Sequence, residues 1–371
     1  MSEFQYYEFQ AIEQPYSRTV QDQFRSLSSR AKVTPRRAIF TYSFSDFRTN
    51  PLTLLEQYGD IYFYQANWGS YQLAFRLPRS QVDLAALQAY KADSCLELCL
   101  SKNYVILDIQ LHPEAGGVDY WMEEDNPCLG NLLPLYHELL AGDYRCLYIA
   151  WLAASQVSPD LSEDSVEPPV PPNLQTLTPA QEALVEWLPL DPDLVAAAAL
   201  ASLAQSTAAD PVDQWITALS APQKRQWLQR LAESDTSLGR EFRASLREQA
   251  GAASNSKLVP GTRTVAQLVQ LSKTAAEARK KWEQEAAKAK RQAHLTAIAP
   301  QKAALWRRVL KCLDQKKGYA YDEAVTLLVD LWDLAQFEQQ ELDFRGKMNH
   351  LRQAYGRSQA LLRRFQAAKL P

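Results

Sequence analysis

Cysteine, histidine and methionine are scarce in this chain of 371 residues, which holds 5 cysteines, 4 histidines and 3 methionines. An odd number of cysteines without regular spacing argues against a disulfide framework, so we expect reduced, mostly buried thiols. No GxGxxG, phosphate-loop or GxSxG motif is present. These absences remove the common sequence signatures of dinucleotide binding, phosphate binding and serine-hydrolase chemistry.

Long hydrophobic runs are also missing. The longest apolar stretches, 146–154 and 194–204, fall short of the roughly 20 residues that a membrane-spanning helix needs. The first residues, Met1 to Gln5, contain no basic segment followed by an apolar core, which argues against a secretory signal. We therefore predict no membrane association and a cytoplasmic location.

Basic residues are nearly absent from the middle of the chain. Between Asn103 and Gln223 the single basic residue is Arg145, against 18 acidic residues. Residues 1–250 carry 18 basic and 32 acidic side chains, whereas 251–371 carry 22 and 11. The net charge of −3 is therefore a cancellation between an acidic portion at −14 and a basic one at +11.

Catalytic and metal-binding patterns are incomplete. The sequence His137-Glu138-Leu139-Leu140-Ala141 begins like a zinc-protease helix, but alanine stands where the second histidine is required. Asp108, His112 and Glu114 lie near a predicted strand end without an evident nucleophile. The cysteines and histidines lack zinc-knuckle spacing, although a metal site could in principle form from Cys95, Cys99, Cys128, Cys146, His112 and His137. We therefore predict no catalytic residues, no metal and no cofactor.

Residues 1–157 alternate between short β-prone stretches and helical periodicity. Gln5–Ile12 and Ala38–Phe44 have strand alternation, and two hairpins are predicted over Ile61–Leu77 and Cys95–Leu111. Strands separated by helices but including hairpins indicate an α+β domain with a mixed or antiparallel sheet.

The remainder predicts an all-helical region in several parts. Residues 158–177 are acidic and proline-rich, typical of a stiff linker or a surface strap. Helix-start signals then predict a small helical region over 178–252, a weaker linker over 253–263 and a basic helical module over 264–371. A helix beginning at Thr264 is expected to reach about Ile298, before Pro300.

Two basic clusters lie in this last module. The long helix has a narrow apolar seam that includes Trp282, which suggests helix packing. Basic residues surround the seam: Arg279, Lys280, Lys281, Lys288, Lys290 and Arg291. The chain end carries a second group: Arg352, Arg357, Arg363, Arg364 and Lys369. Either cluster could bind an anionic partner, and either could be a solvated helix face.

A third candidate surface is the hairpin around Trp68, Tyr71 and Arg76, where aromatic and basic residues could stack on bases or on a peptide. Packing in the core explains the same aromatic residues. The two readings are distinguished by whether these side chains share an exposed face.

Short motifs resemble known bacterial families. Gln5-Tyr6-Tyr7-Glu8-Phe9, Tyr64 to Gly69 and Phe75-Arg76-Leu77-Pro78 resemble an uncharacterised family without assigned activity. The stretch from Trp306 through Tyr321-Asp322-Glu323-Ala324-Val325 to Arg364 resembles the helical tail of SWIM-type zinc-finger proteins, but their zinc-binding motif is absent here. The resemblance implies a shared helical module and carries over no ligands.

The leading hypothesis is therefore a non-catalytic scaffold whose basic helical module docks an acidic protein surface, on another protein or in a multi-protein complex, with Trp282, Trp306 and Trp332 anchoring helix packing. The acidic middle of the same chain is one such surface. A nucleic-acid-associated accessory protein using the same basic helices is the alternative. An enzyme with a site on the N-terminal domain is the third.

Overall fold

The computed structural model describes most of the chain. The described residues are 4–43, 47–92, 94–113, 129–204, 212–232 and 258–371, together with Gly239, Phe242, Ser245, Leu246 and Gln249. Glu114 and Cys128 lie outside the described residues, as do residues 253–257 of the weak linker predicted over 253–263.

One seven-stranded antiparallel sheet organises the N-terminal part, in the order β2-β3-β1-β4-β5-β7-β6. Each paired strand runs antiparallel to its neighbour, and β1 lies between β3 and β4, with Tyr7 opposite both Phe40 and Tyr64. The strands are β1 Gln5–Gln10, β2 Lys32–Val33, β3 Arg37–Tyr42, β4 Ile61–Ala66, β5 Tyr71–Pro78, β6 Leu96–Leu100 and β7 Tyr104–Leu111.

Alternation of side chains along the strands produces two cores. One face carries Phe9, Phe40 and Tyr62, which pack against Phe24 and Leu55 of the first two helices. The other face joins a larger core with the helices that follow in the chain. The helices up to residue 157 are α1 Arg18–Leu27, α2 Pro51–Tyr58, α3 Leu84–Gln88, α4 Leu129–Leu132, α5 Pro134–Leu140 and α6 Arg145–Val157.

Every secondary-structure element that the structure describes from α4 onward is a helix, apart from two isolated β-bridges. Helix α7 begins with a capping box, in which Thr178 accepts from the Gln181 backbone and the Gln181 side chain accepts from the Thr178 backbone. The helices after α6 are α7 Pro179–Trp187, α8 Pro192–Ala199, α9 Val212–Ala218, α10 Ala221–Ala232, α11 Val265–Ile298, α12 Lys302–Asp314, α13 Gly318–Phe337, α14 Glu341–Tyr355 and α15 Gln359–Ala367.

The chain divides into two compact units, residues 1–276 and 277–371, and the division falls inside α11. In the second unit, helices α12 to α15 enclose a separate core that includes Leu328, Phe344 and Phe365. The predicted fold class, an α+β domain followed by an all-helical region, is confirmed, and the sheet is antiparallel rather than mixed. No helix in the described part of the chain is long and apolar enough to span a membrane.

Candidate interaction surface

Residues 277–290 of α11 form a stretch of helix that is exposed on every side, hereafter the exposed helix segment. Its largest apolar side chain, Trp282, is 69% exposed. Burial resumes directly afterwards at Leu295. A helix of this length without a buried face obtains no stability from packing, and its many alanine, lysine and glutamate residues supply helix propensity instead.

The apolar seam of this segment faces away from the helices of its own unit. Arg291 lies nine residues beyond Trp282, about half a turn around the helix. Its guanidinium contacts Asp330 at 2.6 Å and Asp333 at 2.5 Å, and both carboxylates belong to α13. Because Arg291 faces α13, the seam on the opposite side points to solvent. The seam residues in the segment are Ala278, Trp282, Ala286 and Ala289.

Charged residues border the seam on both sides. Arg279 and Lys290 flank one side by helical geometry, and Lys281 and Lys288 flank the other. Arg279 pairs with Glu283 at 2.9 Å. Lys281, Lys288 and Lys290 have no ion-pair partner among the residues that the structure describes. Glu285 lies one helical turn from both Lys281 and Lys288, so with five basic and three acidic residues the segment carries a small net positive charge.

The remaining basic residues of the long helix have other placements. Lys280 lies on the side opposite Trp282, and Arg291 belongs to the α13 ion pairs. The prediction that Trp282 anchors helix packing was wrong for packing within the chain, because its side chain is exposed. Trp306 and Trp332 do pack, each against Phe344, with ring centroids 5.5 and 5.1 Å away.

The C-terminal basic residues divide between structural and exposed roles. Arg352 donates to the Leu370 carbonyl at 3.0 Å, and Arg364 pairs with Asp322 at 2.7 Å. Arg357 and Arg363 are exposed. The structure therefore leaves two of these arginines accessible rather than a continuous basic face.

The hairpin candidates do not share an exposed face. Tyr71 is buried against Trp187, with ring centroids 5.5 Å apart. The Arg76 guanidinium pairs with Asp60 at 2.8 Å and lies over the Tyr104 ring. Of the three predicted residues, only Trp68 is exposed, at 40%.

A serine–histidine contact lies beside Trp68. Its indole Nε1 donates to Ser70 Oγ at 2.9 Å, and Ser70 Oγ lies 3.1 Å from His112 Nδ1. Within the described ranges no side chain bonds the second ring nitrogen of His112, so the described residues supply no third member of a catalytic triad. Metal-site geometry is likewise absent from the described residues, which hold no group of three or more His, Cys, Asp or Glu residues placed to bind an ion.

Asp108 is a buried carboxylate on the same sheet face. It accepts hydrogen bonds from Gln72 at 2.9 Å and from Gln110 at 2.5 Å. Burial raises the pKa of Asp108, and these hydrogen bonds only partly oppose that effect. Two amides and a buried acid form a satisfied network, which by itself assigns no reaction.

A buried ion pair between Glu167 and Arg263 has no signal in the sequence. Arg263 Nε and Nη2 lie 2.7 Å from the two carboxylate oxygens of Glu167, and the Tyr148 hydroxyl also donates to that carboxylate. Arg263 further donates to the carbonyls of Ala197 and Ala198. Nothing in the local pattern indicates this contact, because the partners are 96 residues apart.

The same contact organises the acidic proline-rich segment. Val166 and Val170 form antiparallel bridges with Thr264 and Val259. Residues 166–170 therefore lie beside the stretch that leads directly into α11, with Glu167 as the buried charge between them.

Comparisons with known proteins give no match. No family description, curated protein or solved structure is significantly similar to this chain.

Proposed function

We propose that this protein is a non-catalytic interaction protein that docks a partner protein on the exposed helix segment. The observation that carries the proposal is the exposure of the whole segment, with Trp282 at 69% on an apolar seam that faces away from α13. Exposed tryptophan and basic residues are the side chains that most often supply binding energy and steering at protein interfaces.

The partner proposed is an acidic amphipathic helix. The seam consists of three alanines around one tryptophan, which lets a second helix approach closely while Trp282 fills a gap between its side chains. Lys281, Lys288 and Lys290 would face acidic residues on either side of that helix.

Nucleic acid fits the same surface less well. Glu277, Glu283 and Glu285 lie among the basic residues of the segment and would oppose phosphates. Four of the eleven basic residues in the two clusters, Arg279, Arg291, Arg352 and Arg364, are engaged in contacts within the second unit. These features favour a protein partner and leave nucleic acid as an outcome of the test.

The test is affinity purification of the full chain from nuclease-treated extract, with quantitative identification of what is bound. We expect Trp282→Ala and Lys281→Glu each to reduce recovery of the same partner at least tenfold. Two matched controls should retain it. Leu342→Ala removes a side chain that is 87% exposed elsewhere, and Lys280→Glu makes the same charge change on the far side of the helix.

Three results would refute the proposal. One is loss of every bound protein on nuclease treatment, which would favour nucleic acid. Another is equal loss in Lys280→Glu and Lys281→Glu, which would indicate a nonspecific effect of charge. The third is a set of partners that Trp282→Ala leaves unchanged.

A further inference from the structure

The two edges of the sheet are protected very differently. Edge strand β2 is only two residues long, contains Lys32, and is followed within two residues by Pro35. Short length, lysine and proline are the usual means of blocking strand addition at an edge. The opposite edge, β6, has five residues, Leu96-Glu97-Leu98-Cys99-Leu100, without proline, glycine or lysine.

On the outer side of β6, the backbone groups beyond Leu96 have no hydrogen-bond partner among the described residues. The N–H of Gln110 on the β7 side bonds the Cys95 carbonyl, whereas both backbone groups of Leu96 point outward and bond Ala92. Alternation along an antiparallel strand then turns the N–H and C=O of Leu98 and Leu100 outward as well. In the part of the chain that the structure describes, no residue bonds these outer groups.

We infer that β6 pairs antiparallel with β6 of a second copy of this chain, about a two-fold axis at Cys99. In this register Leu98 of each copy lies opposite Leu100 of the other, and each such pair exchanges two N–H···O bonds between the outward groups. Cys99 faces Cys99 of the second copy in the narrow, non-hydrogen-bonded position. The same patch meets itself, as a two-fold interface requires.

The length of the free edge matches this register. Ala92 occupies the outer side of Leu96, so pairing must end before that residue. On the second copy, β6 ends at Leu100 and the chain turns before β7 begins at Tyr104. The residue after Leu100 lies opposite Glu97, so both strands end at the same level of the pairing. The pairing also covers Leu100, which is 51% exposed in the single chain.

Charge around the axis sets how the pairing responds to salt. Glu97 falls opposite Ser101 of the second copy, so no like charges are directly paired. Burial raises the pKa of the Cys99 thiol in each copy, and the nearby carboxylates of Asp108, Glu97 and Glu56 raise it further. Their mutual repulsion across the axis is screened by salt, so the dimer should tighten as ionic strength rises. Docking at the exposed helix segment should weaken under the same change, which separates the two proposals.

The first experiment combines sedimentation with cross-linking of the full chain. We expect a monomer–dimer equilibrium over roughly 1 to 500 µM, because a strand-edge interface is small. Oxidised glutathione should then join the two Cys99 thiols: one disulfide forms between the copies, and the oxidant is reduced to two glutathione molecules. Cys99→Ser should abolish the cross-linked dimer and Cys128→Ser should not. With its pKa raised, an unpaired Cys99 thiol reacts slowly, so rapid cross-linking reports its position.

The second experiment tests the register. Ser101→Lys places a cation opposite Glu97 twice per dimer and should tighten dimerisation by about twofold to thirtyfold, whereas Ser101→Glu should weaken it by a similar factor. Leu98→Pro removes an outward N–H without taking a bond from the β6–β7 ladder, and should abolish the dimer.

Failure would be clear. A chain that stays monomeric to roughly 500 µM and forms no Cys99 cross-link overturns the inference, whatever the exposed helix segment binds. A dimer that responds equally to Ser101→Lys and Ser101→Glu, or that cross-links through Cys128, also overturns it. Either Ser101 variant tests the register without altering the core, should Leu98→Pro fail to fold.

Discussion

At the scale of single residues, Glu167 is a buried charge that depends on its ion pair with Arg263. Its side chain is 1% exposed, and Arg263 is 13% exposed. Burial alone would raise the pKa of Glu167, but hydrogen bonds from Arg263 and Tyr148 outweigh that effect and lower it. Replacing only one residue of such a buried ion pair strongly destabilises the fold, since the remaining charge is left without a partner.

Arg263→Met should therefore lower the free energy of unfolding by about 3–5 kcal/mol. The double variant Glu167→Gln with Arg263→Met should lose less, because it removes both charges. Urea denaturation measured by circular dichroism tests this order. Equal losses in the single and double variants would show that the ion pair is not coupled.

The same pair gives stability a defined pH dependence. Since the pKa of Glu167 is lower folded than unfolded, its contribution is complete above the ordinary value of 4.5 and is lost as pH falls through the folded value. Glu167→Gln should remove that part of the acid dependence.

Gly261 lies so close to the Glu167 backbone that it leaves no room for a side chain. A Cβ added there would lie 1.9 Å from the Glu167 carbonyl oxygen, so Gly261→Ala must force the two segments apart. We expect a loss of about 1–3 kcal/mol or more in unfolding free energy. Gly130→Ala is the matched control, because nothing lies within 4 Å of its added carbon. Thermal melts in which both variants match the wild type would contradict the close approach.

At the scale of elements, periodicity predicted most of the fold. The hairpin predicted over Ile61–Leu77 is formed by β4 and β5, which end at Pro78, and the hairpin predicted over Cys95–Leu111 is formed by β6 and β7, which end at Leu111. These elements have strong local signals, because one face is buried and their ends carry turn residues. The strand order was not predictable, since it depends on contacts between segments far apart in sequence.

At the candidate site, the residues could be predicted from the sequence but their exposure could not. The seam of α11 was visible as spaced alanines around Trp282, but a seam looks the same whether or not another helix covers it. Exposure had to come from the structure. In the hairpin, Tyr71 and Arg76 were singled out by residue type, yet their burial depends on Trp187 and Asp60, which no local pattern connects to them.

At the scale of the whole molecule, the structure shows which of the basic residues near the chain end form ion pairs and which are exposed. Within the second unit, part of the basic charge is neutralised by acidic residues of α13, such as Asp322, Asp330 and Asp333. The lysines that border the seam form no ion pair with any residue that the structure describes. The predicted domain boundaries and the bacterial family resemblances stay predictions, whereas the α+β and all-helical architecture is established.

The central claim, that a partner helix packs on the alanine seam, is tested most directly by Ala286→Gln against Ala287→Gln. Both alanines are exposed neighbours in α11, and only Ala286 lies on the seam. The measurement is recovery of the partner identified with the wild-type chain, from nuclease-treated extract. The account predicts that Ala286→Gln reduces recovery at least tenfold and that Ala287→Gln leaves it unchanged. Equal recovery by the two variants would contradict docking on the seam.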